Sequence, residues 1–200
     1  MYMRRTLLLA ASSALLLSAC GRPATAVSVS LEQRLANPLF AEYYFDDLVE
    51  RLVDLDIQND ASLEDAGIKN AADAARREGL QAAKNATKKQ NEGVQGMMIP
   101  GKDFAQGEVL IVDDMLYFHP QFIATPGVDV RIYLSEALDP RDGDFPDASA
   151  VEVGPLQSPY GDQSYALQPS AEGERPAFRS LVLWDAALER LSGFAQLRMP

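Results

Sequence analysis

The chain has 200 residues and a formal net charge of −11, with 18 basic and 29 acidic side chains. A strongly acidic chain repels nucleic acid and anionic lipid head groups, so we expect no nucleic-acid partner. The single cysteine excludes a disulfide within the chain and any site built from several thiolates.

The N terminus has the pattern of a bacterial lipoprotein signal. Arg4 and Arg5 precede an apolar run that is too short to span a bilayer as a permanent helix. The run ends in the sequence LSAC, which places the only cysteine, Cys20, at the position of a lipobox. The pattern predicts a signal peptide over residues 1–19 and acylation of Cys20, with palmitate-like chains as the membrane anchor. An ordinary signal peptide with a chance cysteine is the alternative.

The residues after the cysteine bear on localisation. Gly21 stands where an aspartate would act as an inner-membrane retention signal. We therefore expect a lipid-anchored protein of the bacterial cell envelope that faces the periplasm, at the outer membrane if the cell has two membranes. Residues 20–30 are small and polar, which predicts a lipidated tether.

Residues 31–92 are predicted to form a helical hairpin. Asn37 followed by proline is a typical helix start, and apolar residues recur every fourth position from Phe40 onward. After a polar break, Ser62 resembles the cap of a second, alanine-rich helix. The aromatic stripe of the first helix is interpreted as core or domain interface, and alternatively as a docking surface for a partner.

The composition and the apolar pattern of the sequence change after the predicted helical hairpin. Residues 93–106 are punctuated by glycine and proline and are predicted to be a linker. Residues 107–200 contain short apolar runs between turn residues, which predicts a β-sandwich or a barrel-like domain. The candidate strands are 108–112, 115–118, 128–134, 151–153, 164–167, 180–184 and 194–197. The predicted fold class is therefore α+β, with an N-terminal helical hairpin followed by an all-β domain.

Four stretches of the β region follow one another in a distinctive order. They are Gly107–Val112, Pro126–Leu134, Val153–Gln157 and Ser180–Trp184. In this order the segment resembles the DM13 (DM-thirteen) domain family, which is described as an electron-transfer domain. The resemblance implies a redox cysteine directly after the tryptophan, but Asp185 stands at that position. It therefore implies the fold without the thiol chemistry, since a carboxylate cannot cycle between thiol and disulfide.

Trp184 and Asp185 are the candidate functional residues at that position. The alternating strand pattern predicts that Trp184 is a core anchor at a strand end. Asp185 is predicted to cap the turn or helix that follows. The alternative is a site in which the aromatic wall raises the pKa of the Asp185 carboxyl.

The only histidine, His119, is predicted to be a loop or strand-end residue. The alternative is a copper(I) site in which Met97, Met98 and Met115 supply soft ligands, although their spacing matches no diagnostic pattern.

A dense acidic segment is a weak candidate for a calcium loop. Its carboxylates are Asp139, Asp142, Asp144 and Asp147. Calcium favours clustered oxygen ligands, but the spacing of an EF-hand is absent, so a solvated turn is the preferred interpretation.

The sequence contains no Ser-His-Asp order, phosphate-binding glycine loop or zinc spacing. We therefore expect a non-enzymatic interaction or ligand-binding module with no cofactor of its own. Its expected partners are the membrane, through the lipid, and another envelope protein. The alternative is an electron-transfer accessory domain that uses a borrowed cofactor.

Overall fold

The computed structural model describes residues 29–168 and 178–198. The predicted signal peptide, Cys20 and most of the predicted tether lie outside these residues, so those predictions stay open. None of the described helices combines the length and the apolarity that are needed to cross a membrane.

Within the described residues, three helices form the N-terminal part: α1 (Leu31–Leu35), α2 (Pro38–Ile57) and α3 (Ala66–Gln90). The Asn37 side chain caps α2 by accepting a hydrogen bond from the backbone N–H of Leu39 (3.0 Å), as predicted. The cap of α3 differs from the prediction. Ser62 lies in a short 3₁₀ helix, and the Asp65 carboxylate caps α3 instead.

The β region comprises ten strands in the part of the chain that the structure describes. They are β1 (Val94–Pro100), β2 (Ala105–Gln106), β3 (Glu108–Val112), β4 (Met115–Phe118), β5 (Ile123–Ala124), β6 (Val130–Ser135), β7 (Val151–Pro155), β8 (Ser164–Ala166), β9 (Ser180–Asp185) and β10 (Arg190–Gln196). Eight of these form one antiparallel sheet in the order β7-β6-β9-β10-β1-β3-β4-β8, while β2 pairs with β5.

The two edges of the large sheet approach each other. The backbone N–H of Gln157, just after β7, donates a hydrogen bond to the Tyr165 hydroxyl oxygen of β8 (2.8 Å). The sheet is therefore nearly closed into a barrel, an arrangement that leaves little free strand edge. The predicted α+β class, with helices followed by a barrel-like β domain, is confirmed.

Residues 93–106 are not the predicted linker. Strand β1 lies in the middle of the sheet, between β10 and β3. The glycines that suggested a linker instead allow close packing: a Cβ on Gly96 would lie 2.7 Å from the Gln196 carbonyl oxygen, and one on Gly101 would lie 2.6 Å from that of Leu191. A glycine-rich pattern is common to flexible linkers and to strands that backbone atoms approach closely, and here the second case applies.

The barrel interior holds the main hydrophobic core. Phe118 and Phe122 are fully buried there, with their rings in edge contact at a centroid distance of 4.7 Å. Strand β9 contributes Leu181 and Leu183 to the same core. Such aromatic and aliphatic burial is the dominant stabilising contribution to a domain of this size.

The helices dock on the outer face of the β3–β4 hairpin. Leu39 of α2 packs on Leu110 and Val112, which point away from the barrel interior. The Asn37 side-chain amide donates to the Phe118 carbonyl oxygen (2.9 Å), and Lys89 pairs with Asp113 (2.7 Å). The start of α2 and the end of α3 are therefore both attached to the β3–β4 hairpin.

We predict that Gly96→Val destabilises the protein by about 1–3 kcal/mol, because the added side chain overpacks the contact between β1 and β10. Gly143→Val is the matched control, since a Cβ there meets nothing within 4 Å. Denaturant titration of the two variants measures the difference. Equal midpoints would mean that β1 does not occupy the middle of the sheet.

Candidate functional site

An apolar patch lies on the outer face of the sheet and is only partly covered. Val182, Leu191 and Phe194 are buried in this patch beneath half-buried aromatic side chains. An open cavity of about 840 Å³ adjoins it. We call this cavity the Trp184 groove; its principal lining residues are Lys102, Tyr133, Arg141, Phe145, Trp184 and Arg190.

Trp184 is not the predicted core anchor. In β9, Leu181 and Leu183 point into the barrel, so Val182 and Trp184 point outward. Trp184 is half-buried at the groove, with its ring centroid 5.3 Å from that of Phe145. The alternating pattern predicts a strand with one buried face. In the structure both faces of β9 are covered, one by the barrel core and the other by aromatic side chains. Trp184 lies on the second face, which is covered less completely.

The aromatic side chains of the groove form a continuous wall. Phe145 stands between Trp184 and Tyr133 and meets the Tyr133 ring edge-on, with centroids 5.5 Å apart. Offset and edge contacts of this kind favour defined ring positions. The wall therefore offers an apolar aromatic surface of mutually tilted rings to the groove.

Basic side chains meet at the same groove. The Arg190 guanidinium donates to Asp103 (2.6 Å), yet its Nε is buried and has no hydrogen-bond partner among the described residues. Arg141 binds Asp139 through Nε (2.8 Å), and its guanidinium lies 4.8 Å from the centre of the Phe194 ring. Lys102 is exposed at the rim.

Acidic residues are present as well, since Asp144 and Glu189 also line the groove. Three basic side chains nevertheless converge here in a chain whose net charge is −11. The groove therefore places basic side chains beside an apolar wall, a combination that suits an anionic group next to an apolar body.

Asp185 directly follows Trp184 and is a buried carboxylate that does not itself line the groove. It accepts hydrogen bonds from the backbone N–H groups of Val128 (2.7 Å), Asp129 (3.3 Å), Ala187 (3.1 Å) and Leu188 (3.1 Å). Burial by itself raises the pKa of the Asp185 carboxyl, but these hydrogen bonds outweigh burial and hold the pKa below its ordinary value. The predicted turn cap is present, and the alternative of a raised pKa is wrong.

The acidic segment does not assemble a calcium site, which was the weaker of the two interpretations of its sequence. Asp139 is engaged by Arg141, and Asp147 accepts hydrogen bonds from the Ser135 hydroxyl (2.7 Å) and the Ser149 backbone N–H (2.7 Å). Asp142 and Asp144 are exposed. Across residues 29–168 and 178–198, no group of three or more His, Cys, Asp or Glu side chains could hold a metal ion.

His119 follows β4, as expected of a strand-end residue. Its Nδ1 accepts a hydrogen bond from the Gln121 backbone N–H (3.0 Å), and its ring meets Tyr43 edge-on. Burial lowers the pKa of His119, and nearby Glu42 opposes the shift.

The suggested methionine ligands do not gather around His119. Met97 is exposed and Met98 is buried in the barrel core, because consecutive strand residues point to opposite faces. Met115 begins β4 whereas His119 follows its other end.

Sequence reasoning missed the basic residues of the groove. Lys102, Arg141 and Arg190 are far apart in the chain and meet only because the segments that carry them fold onto neighbouring strands. No local motif marks any of the three.

We predict that Asp185→Ala destabilises the protein by at least about 2 kcal/mol near neutral pH, because it leaves buried N–H groups unpaired. The folded pKa lies below the unfolded value of about 3.9. The contribution of the carboxylate is therefore full above that value and is lost as the pH falls through the folded pKa. Asp185→Asn is the non-titrating control, and the free energy of unfolding is measured between neutral and acidic pH.

The difference in free energy of unfolding between the wild type and Asp185→Asn should become smaller as the pH falls. A gap that stays constant down to the lowest pH at which the wild type folds would contradict the bonding described for Asp185.

The comparisons with known proteins concern the β region. Residues 100–197 match the family model described as "Electron transfer DM13". Comparisons with curated proteins and with solved structures gave no match. The matched segment runs from the last residue of β1 to just beyond β10, so it includes Trp184, Asp185 and most of the barrel. Residues 100–197, just under half of the chain, are therefore similar to DM13 domains.

Proposed function

We propose that this protein is a membrane-anchored lipoprotein of the bacterial envelope whose DM13-like domain acts as a non-enzymatic ligand-binding module. The Trp184 groove carries the proposal. Its aromatic wall suits a planar apolar body, and its basic side chains suit a carboxylate, sulfonate or phosphate group. The ligand class is therefore an anionic molecule with an aromatic or otherwise planar apolar part.

The state of Arg190 supports a ligand at this position. A buried N–H without an acceptor costs free energy, of the order of 1–3 kcal/mol. Arg190 Nε is such a group among the described residues, and it belongs to a side chain of the groove. Because this Nε is buried, an anionic ligand would become its acceptor only if binding turned the Arg190 guanidinium toward the groove.

The bonding of Asp185 favours a binding role over an enzymatic one. Four backbone N–H groups surround this carboxylate and keep it ionised, so it is poorly suited to act as a general acid. The resemblance to DM13 domains implies a redox cysteine at this same position. On this proposal, residue 185 holds the backbone next to the groove and takes no part in thiol chemistry.

We predict that 8-anilinonaphthalene-1-sulfonate, an aromatic anion, binds the groove and quenches the emission of Trp184. The chain has one tryptophan, so any loss of indole emission reports ligand bound in the neighbourhood of Trp184, and the groove variants locate it. Arg190→Gln and Arg141→Gln should each weaken binding at least fivefold, because each removes a cation from the groove.

Arg198→Gln is the matched control, since Arg198 is exposed beyond the opposite end of β10. Thermal melting of each variant verifies that it folds. Affinity unchanged in both groove variants would exclude the groove as the anion site.

We further predict that Cys20→Ser abolishes lipid attachment. The only cysteine lies ten residues before Ser30, which caps α1, so acyl chains at Cys20 would hold the barrel close to the membrane. Incorporation of labelled palmitate and cell fractionation measure the effect. A Cys20→Ser protein that is still labelled and membrane-bound would refute the lipoprotein assignment.

Electron transfer is the second candidate function, and the description of the matched family favours it. Its test is an absorption spectrum and elemental analysis of the protein purified from its native membrane. Visible absorption bands or stoichiometric iron or copper would support this candidate over a ligand-binding role.

A further inference from the structure

The helical hairpin extends away from the barrel with incomplete burial of its apolar side chains. Beyond Ala41, no residue of the fully described α2 is buried, and the buried residues of α3 begin at Gly79. Ile57 is 71% exposed and Leu80 is 44% exposed. A layer of two helices with exposed apolar positions has the character of half a helical bundle.

Charge is divided between the two helices. Helix α2 carries six acidic residues and one arginine, whereas α3 carries six basic and two acidic residues. Among the described residues, a single ion pair, Lys69–Asp56 at 3.4 Å, joins these helices. Most of the complementary charge is therefore left unused within one copy.

Two contacts between the helices identify one side of the hairpin. The Thr87 hydroxyl donates to Glu42 (2.6 Å), and Lys69 pairs with Asp56. Val49 is seven residues, or about two helical turns, from both Glu42 and Asp56, so it lies on the same side of α2 as these two acids. By the same spacing, Arg76 lies with Lys69 on α3, and Leu80 lies with Thr87.

Apolar and charged residues combine along this side, which we call the hairpin flank. Its members are Val53 and Ile57 on α2, and Leu80 and Lys84 on α3. At its inner edge, Val49 packs against Gly79 of the same copy and Arg76 pairs with Asp73. Asp46 and Glu50 border the flank on α2, and Arg77 borders it on α3. All three bordering residues are exposed and have no ion-pair partner in the described part of the chain.

We propose that two copies of this chain associate through the hairpin flank, with α2 of each copy against α3 of the other. A two-fold axis then repeats the same acid-to-base contact twice, as expected of an isologous interface. Placing α2 on α2 would bring acids against acids, so charge selects the crossed arrangement. The result is a four-helix bundle that covers Ile57 and Leu80.

The size of the flank is compatible with a specific pair. A helix of 20 residues such as α2 is about 30 Å long, and two helices side by side are about 20 Å wide. The covered area is then about 600 Å² per copy, or about 1,200 Å² in total, at the lower end of specific interfaces. Association through exposed charges should also weaken as salt increases.

The test uses two complementary charge-reversal variants of the full chain. Variant A carries Asp46→Lys and Glu50→Lys, which makes the α2 border basic. Variant B carries Arg77→Glu and Lys84→Glu, which replaces the bordering cation and a flank cation of α3 with acids. Differently tagged copies are co-expressed, solubilised in mild detergent and purified on one tag, and recovery of the other tag is measured.

We expect tagged wild-type copies to recover each other. When both copies are variant A, or both are variant B, recovery of the second tag should fall at least tenfold, because the crossed contacts then pair like charges. A with B should recover, since both crossed contacts again join opposite charges. A control with Glu136→Lys and Arg198→Glu, on the barrel surface, should behave as wild type. Circular dichroism verifies that each variant folds.

The proposal is overturned if wild-type copies do not co-purify. It is equally overturned if two copies of variant A and two copies of variant B each co-purify as well as wild type. Failure of variant A to co-purify with variant B would also overturn it. These outcomes concern the hairpin alone and do not depend on ligand binding at the Trp184 groove.

Discussion

The Asp185 carboxylate joins segments that are distant in the chain but adjacent at one end of the barrel. Its bonds to Val128 and Asp129 position the start of β6, and its bonds to Ala187 and Leu188 shape the turn between β9 and β10. Gly127 approaches so closely that it leaves no room for a side chain. An ionised group bonded to several N–H donors is stable when buried, whereas an unpaired one is not.

The arrangement of the groove follows from that fixed end. Trp184 directly precedes Asp185 in β9, and Arg190 begins β10 after the turn that the carboxylate holds. Tyr133 lies two strands from Arg190, because β6, β9 and β10 are neighbours in the sheet. A local anchor therefore sets the relative positions of the aromatic wall and one of its cations.

The outer surface of the barrel is used in two different ways. Over β3 and β4, the helices cover Leu110 and Val112 completely enough to make a second small core. Over β9 and β10, aromatic side chains cover Val182 and Phe194 but leave an open cavity. The first patch attaches the helical hairpin, and the second is the site where a ligand can reach apolar surface.

Local patterns predicted those elements whose structure is determined locally. The strands at 108–112 and 115–118 match β3 and β4, and the intervening Asp113 and Asp114 adopt the positive φ angles that aspartate tolerates in a tight turn. Asn37 marks the start of α2 for the same local reason.

The remaining features depend on contacts that no short segment encodes. The glycines of β1 resemble a linker until the neighbouring strand is known. Trp184 has the periodicity of a core residue, but the loop that contains Phe145 decides how far its outer face is covered. The groove cations at 102, 141 and 190 meet only through the order of the strands.

Ligand binding at the Trp184 groove is tested most directly by an NMR titration of the protein with 8-anilinonaphthalene-1-sulfonate. We expect the single indole N–H resonance of Trp184 and the Nε–H resonance of Arg190 to shift together and to saturate at the same ligand concentration. Shifts confined to residues of the smaller cavity beside α1, such as Met115 and Tyr117, would contradict it.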